Sequence, residues 1–248
     1  MSAKKKHPIR KIVLIAIVAV LVLCVGGGFL YLSDYYRASE EVNEYIAKDG
    51  DVSANFIDSG LLLNGPGSEN ALIFYPGAKV EYTAYVPLMY ELAENGVDVF
   101  IVKMPCNLAF FGMNKADDII GEYSYAHMYL GGHSLGGAVA AIYAAKHADT
   151  ADIEGLILLA AYPTKSLASS SMRVLTIYGS EDKVLNMAKV EAGRSLLPAD
   201  AAETVIEGGN HAQFGCYGEQ RGDGTASISA EEQWKQTADA ILEMIGNE

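Results

Sequence analysis

The chain has 248 residues, with 18 Lys and Arg against 31 Asp and Glu, and a net charge of −13. Five of the basic residues precede the first apolar segment and no acidic residue does, so the remainder is more acidic still. A domain of that sign repels nucleic acid and anionic headgroups, which excludes both as partners of its surface.

The N-terminus is organised for a bilayer. Ile12 to Leu32 is a nearly uninterrupted apolar run of 21 residues. As a helix at ~1.5 Å per residue it spans about 31 Å, a bilayer core. Lys4, Lys5, Lys6, Arg10 and Lys11 precede it, while Asp34, Glu40, Glu41 and Glu44 follow. The positive-inside bias then predicts a cytoplasmic basic tail (1–11), a transmembrane anchor (12–32) and everything later outside the cytoplasm. Tyr31, Tyr35 and Tyr36 fall where an interfacial aromatic belt would lie. A cleaved signal peptide, giving a secreted protein, is the competing reading. The run exceeds the usual ~7–15-residue signal core, and no Ala-x-Ala site follows. Leu precedes Cys24, where a lipoprotein signal would carry a small residue. Residues 33–52 are polar and acidic with scattered apolar points, and read as a short helical stalk.

About 195 residues remain, from 53 to 248, enough for one core and too few for two comfortable domains. Apolar stretches predict strands at 54–63, 71–76, 97–103, 126–132, 155–161, 173–178 and 202–207. Helices are predicted at 82–95, 135–148, 184–195 and 230–246, with a weaker one at 114–122. Val97-Asp98-Val99-Phe100-Ile101-Val102 is mostly apolar, as parallel strands covered on both faces are. The alternation predicts an α/β fold with a mostly parallel central sheet flanked by helices. Only about a dozen residues separate 155–161 from 173–178, which leaves no room for a large cap domain and predicts an open site.

Gly132-His133-Ser134-Leu135-Gly136 stands between a strand and a helix-forming run of alanines. A sharp strand–turn–helix with serine at its apex needs glycine on either side, and it presents the hydroxyl beside a helix N-terminus. Ser134 is therefore the candidate nucleophile. Of the five histidines, His127 lies within a strand, His133 supports the turn and His147 closes the following helix. His211 follows a late strand and a flexible Gly208-Gly209-Asn210, from which it can reach the serine as a base. Arg173 to Tyr178 is a buried strand that ends in Gly179-Ser180-Glu181-Asp182. Asp182 at its tip is the candidate acid, with Glu181 the competitor and helix capping the alternative role for Asp182.

Two loops carry further candidates. Cys106 and Cys216 both fall after strands, near the expected site, and outside the cytoplasm they could form a disulfide. Phe110 and Phe111 could line an acyl pocket or simply pack. The turn-rich loop 213–229 is a candidate wall of the substrate pocket. Its Arg221-Gly222-Asp223 spells an integrin-type tripeptide that turn composition accounts for. No Cys/His metal spacing and no phosphate-cradling glycine loop is present, so neither metal nor organic cofactor is expected.

The order Ser134, Asp182, His211 resembles that of α/β-hydrolase fold serine hydrolases. The size and spacing over about 53–246 are most similar to the compact, capless, dienelactone-hydrolase-like branch, although that branch uses cysteine where this chain has Ser134. The resemblance also covers Leu72-Ile73-Phe74-Tyr75-Pro76-Gly77-Ala78. It implies that the backbone N–H groups of Ala78 and Leu135 form an oxyanion hole, with Pro76 in the place of a frequent histidine. It further implies hydrolysis of a small-molecule carboxylic ester through an acyl-enzyme on Ser134. Acyltransferase, thioesterase and peptidase activities share that machinery, and a non-catalytic binding protein on the same fold is the remaining alternative. The expected partners are the ester substrate and, through the N-terminal helix, the lipid bilayer.

Overall fold

A computed structural model of the chain describes residues 8–67, 69–150 and 152–246. It divides into two compact units, Met1–Tyr35 and Tyr36–Glu248. The expected basic residues Lys4, Lys5 and Lys6 lie outside the described residues.

The first unit is one helix, α1 (Pro8–Ser33). Val13–Ser33 is long and apolar enough to cross a membrane, and none of it is buried; an N-terminal signal sequence would have the same character.

The second unit begins earlier than expected. Instead of a free stalk, residues after Tyr36 pack on the globular unit. Tyr36 bridges to Val80, and its ring lies 5.4 Å from that of Tyr217. The short helix α2 (Val42–Ile46) buries Val42. Tyr45 sits edge-on to Tyr90 and Trp234. The scattered apolar residues of this segment thus have partners that are distant in the chain.

The predicted strand at 54–63 is a hairpin of β1 (Ser53–Ile57) and β2 (Gly60–Asn64), broken by a turn at Asp58-Ser59. The remaining strands are β3 (Asn70–Tyr75), β4 (Val97–Val102), β5 (His127–His133), β6 (Gly155–Leu159), β7 (Arg173–Gly179) and β8 (Ala202–Ile206). They form one eight-stranded sheet in the order β1-β2-β4-β3-β5-β6-β7-β8. β2 meets β4 antiparallel; β4, β3 and β5 to β8 are all parallel.

The short α6 (Met187–Gly193) lies between β7 and β8 in the chain, and helices cover both faces. On one, α3 (Val86–Glu94) and α7 (Ala230–Gly246) share a core with Leu72, Phe74, Val99 and Ile157. On the other, α4 (Lys115–Glu122) and α5 (Leu135–Lys146) pack on Ile73, Phe100, Leu130 and Leu158. β4 is buried throughout. Its Asp98 is tolerated because Asn64, the Gly65 amide and Tyr125 all donate to its carboxylate. The chain runs from β3 to β4 on one side and then crosses to β5 on the other. The carboxyl ends of β3 and β5 therefore flank a topological switch point, where open α/β sheets form crevices.

Candidate active site

At the end of β5 the chain turns directly into α5 through Ser134, which has φ 52° and ψ −120°. A non-glycine residue in that region is strained and persists only where its surroundings fix it. The Ser134 amide donates to the Leu159 carbonyl at 2.8 Å, and its carbonyl accepts from Ala138 at 3.0 Å. The flanking glycines have no room for a side chain. A β-carbon on Gly136 would lie 2.1 Å from the Tyr75 oxygen and 2.3 Å from that of Pro76. One on Gly132 would meet the same Tyr75 oxygen at 2.7 Å. The elbow is thus pressed against the end of β3, as the register Tyr75↔Gly132 requires.

Ser134 opens on a cleft of about 240 Å³ whose walls include Leu135, Ala138, Ala161, Val184, Leu185 and His211. Among the described residues, no acidic or basic side chain other than His211 lines it. The hydroxyl makes no hydrogen bond to the imidazole among the described residues; such contacts often tighten only when substrate binds.

His211 is 1% exposed, and its Nδ1 donates to Asp182 Oδ2 at 2.8 Å. Asp182 Oδ1 accepts the amides of Val184 and Leu185, each at 2.8 Å. One carboxylate oxygen thus shapes the turn and the other holds the imidazole, while the cap of the next helix is Asn186, whose side chain accepts from the Lys189 amide. The competing Glu181 faces Lys183 at 3.9 Å instead.

The loops of Asp182 and His211 are joined by groups that carry no sequence signature. Asp223 Oδ1 accepts from the Lys183 amide, and its Oδ2 from that of Ala212. The acid of the integrin-type tripeptide is therefore occupied within the protein. Gln233 of α7 clamps Asn210, accepting from its amide at 3.0 Å and donating to its carbonyl at 2.8 Å. Glu181 donates its amide to Gly209. Asn210, Asp223 and Gln233 together fix the backbone on which His211 sits.

Of the residues expected to form an oxyanion hole, Leu135 lines the cleft and Ala78 does not. Ala78 lies in the loop after β3, next to Gly77, whose amide donates to Tyr85 Oη at 2.9 Å. Neither Ala78 nor Leu135 uses its amide in a hydrogen bond among the described residues.

The other histidines have structural neighbours. His127 meets the Glu154 carboxylate at 3.0 Å. His147 caps α5 and stacks on Tyr143, with centroids 4.2 Å apart. His133 is buried beside His211.

Three expectations change. Cys106 and Cys216 are not bonded: Cys106 is exposed, while Cys216 is buried and donates its thiol to Glu41 at 2.7 Å. The packing of the supposed stalk supplied a partner that sequence spacing did not reveal. Phe110 and Phe111 are exposed and do not line the cleft. The loop 213–229 walls a separate cavity of about 450 Å³, with Cys216 and Trp234, rather than the cleft of Ser134. Among the described residues no group of His, Cys, Asp and Glu is arranged to hold a metal ion.

Solved structures share this architecture. Est1E from Butyrivibrio proteoclasticus aligns with a TM-score of 0.53 at 16% identity, covering 80% of this chain and 100% of that one. Carboxyl esterase 2 from the mycorrhizal fungus Tuber melanosporum gives 0.57 at 13% identity, covering 84% and 91%. A membrane phospholipase A described as a bacterial virulence factor gives 0.56 at 14% identity, covering 94% and 98%. At these identities the likeness is one of fold. No curated protein matches the sequence significantly. Residues 71–235, which contain the elbow, the acid loop and the histidine loop, match the Alpha/beta hydrolase family. With the sheet order and the elbow geometry described above, that match places the chain in the alpha/beta hydrolase family.

Proposed function

We propose that the chain is a serine hydrolase that cleaves carboxylic esters with small or medium uncharged acyl groups. The observation that carries this reading is the buried Asp182–His211 hydrogen bond at 2.8 Å, on the same cleft as the strained Ser134. His211 takes the Ser134 proton as the hydroxyl attacks the ester carbonyl. Asp182 holds the tautomer with a proton on Nδ1 and stabilises the imidazolium. The N–H groups of Leu135 and Ala78 stabilise the oxyanion, at a helix N-terminus and on the adjoining loop. His211 then protonates the leaving alcohol, and water releases the acyl group by the reverse path. Walls of Ala138, Ala161, Val184 and Leu185 favour an apolar acyl chain and give a charged one no partner.

The short connection between β6 and β7 supports the compact, capless, dienelactone-hydrolase-like branch. The basic residues before the apolar run Ile12–Leu32 and the acidic ones after it support an uncleaved anchor with the hydrolase outside the cytoplasm.

Covalent labelling with a fluorophosphonate probe tests the reading. The full chain is expected to be labelled at Ser134, located by peptide mass spectrometry. Ser134→Ala and His211→Ala should both abolish labelling. A folded wild-type protein that neither labels nor hydrolyses short p-nitrophenyl esters would instead be a binding protein.

A further inference from the structure

The elbow residue His133 and the distant Tyr85 remain unexplained by that mechanism, although both are fully buried. We propose that Tyr85 and His133 form a positioning relay that ties the oxyanion loop to the catalytic histidine; the inference rests on the hydrolase reading above.

The relay begins at the backbone. The Gly77 amide, one residue before Ala78, donates to Tyr85 Oη at 2.9 Å. Tyr85 Oη lies 2.8 Å from His133 Nδ1. The phenol oxygen accepts from Gly77, and His133 Nδ1 is its one acceptor among the described residues, so its own proton points to Nδ1. A neutral His133 then carries its proton on Nε2. Burial, then the neighbouring His211, hold the His133 pKa well below the usual value, partly offset by the His211 carbonyl.

The far end of the relay is the base. The His133 ring lies against that of His211, with centroids 4.5 Å apart, and against Phe214 at 5.6 Å. Tyr85 also borders the segment after His211. A β-carbon on Gly215 would come within 3.4 Å of its ring, and the Cys216 amide donates to the Ala84 carbonyl at 2.7 Å. The fit at the first end leaves no slack. A β-carbon on Gly77 would meet His133 Nδ1 at 2.8 Å and Tyr85 Oη at 2.9 Å. One hydroxyl therefore fixes the loop that carries the Ala78 amide and the imidazole that backs His211.

Packing alone would need neither polar atom. Buried hydroxyls and imidazoles cost stability unless hydrogen-bonded. Among the described residues His133 Nε2 makes no hydrogen bond of good geometry, although the His211 carbonyl is close enough to favour its proton, which ties the ring to the backbone of His211 itself. Neither residue touches the reacting atoms; both act through the groups they hold.

Tyr85→Phe in the full chain removes only the hydroxyl. We expect kcat for p-nitrophenyl butyrate to fall about 10- to 100-fold, below the loss for deleting an oxyanion donor outright, with KM changed less than about threefold. Fluorophosphonate labelling of Ser134 should slow by a similar factor. If Tyr85→Phe lowers only the unfolding midpoint and leaves kcat within about twofold, the residue is structural and the proposal fails. Should Tyr85→Phe not fold, a pair at the other residue decides. His133→Asn keeps an acceptor near the position of Nδ1, and it should retain at least about tenfold more kcat than His133→Ala. Equal kcat in the two overturns the relay. A wild-type protein that neither labels nor turns over overturns the hydrolase reading itself, which separates the two failures.

Discussion

Gly179 and Gly209 meet backbone to backbone: a β-carbon on Gly179 would lie 2.2 Å from both the carbonyl carbon and the oxygen of Gly209. Gly179 ends the strand that leads to Asp182, and Gly209 stands two residues before His211. Their contact limits how the loops of Asp182 and His211 can approach. Backbone cannot yield as a flexible side chain can, so Gly179→Ala must push the two loops apart. The expected cost is about 1–3 kcal/mol of stability or more. Hydrolysis at 25 °C should fall with it, because His211 moves from Asp182. Gly121→Ala is the control: nothing lies within 4 Å of its β-carbon, and alanine is the better helix former there. Thermal unfolding and esterase rate on both variants test this. Equal behaviour would show that the loop contact is slack.

Asp182→Asn separates the two duties of that carboxylate. The Asn oxygen can still accept from Val184 and Leu185, so the turn and the fold should persist. Its amide would face His211 Nδ1 with a donor instead of an acceptor and favour the wrong tautomer. In a serine-protease triad this change lowers kcat by about 10⁴, and a loss on that order is expected here with the unfolding midpoint little changed. A rate within about tenfold of wild type would remove Asp182 from the mechanism and reopen the case for Glu181, since a group that merely caps a turn contributes far less.

Much of the site could be read from the chain because its chemistry sits at strand ends. The glycines around Ser134 mark a turn that no larger residue could make, and β7 and β8 each run into the loop that holds a candidate partner. The supporting residues had no such mark. Tyr85 lies 48 residues before His133, and Gln233 reads as an ordinary polar position in an amphipathic helix. Both acquire their roles only when the sheet brings distant segments together. Residues 33–52 read as a stalk for the same reason. Val42 and Tyr45 look isolated in an acidic segment until α3 and α7 give them a surface. The β1–β2 hairpin reads as one strand in the sequence because both halves are apolar and their turn is short.

Cys216 and Cys106 should differ sharply in reactivity. Burial and then the Glu41 carboxylate push the Cys216 thiol up to about 12, so at about pH 8 it carries almost no thiolate, the reactive form. Cys106 is exposed. Iodoacetamide should therefore modify Cys106 but not Cys216 in the native full chain, and both in denaturant. Glu41→Gln should weaken the protection by removing a charge that opposes ionisation. Equal native labelling of the two, or a peptide containing both joined by a disulfide, would contradict this arrangement.

The stability of the globular unit should depend on pH through His133. In the folded protein burial keeps this imidazole neutral, with its pKa well below the usual value. In the unfolded chain it takes up a proton near pH 6.5. The unfolded state therefore binds more protons as pH falls below about 6.5, and stability drops by up to about 1.4 kcal/mol per pH unit until the folded pKa is reached. Above that range this contribution is complete and flat. Trp234 is the single tryptophan and is buried in the globular unit, so its fluorescence reports urea unfolding there without interference from α1. Carboxylates add their own slope, but the difference between wild type and His133→Gln isolates the histidine. The two curves should converge as pH falls from about 7.5 to 5, because only the wild type has this proton to gain on unfolding. Parallel curves would mean that His133 ionises in the folded state. That outcome would place a positive charge 4.5 Å, centroid to centroid, from the ring of His211, where it would oppose the imidazolium the proposed reaction must form.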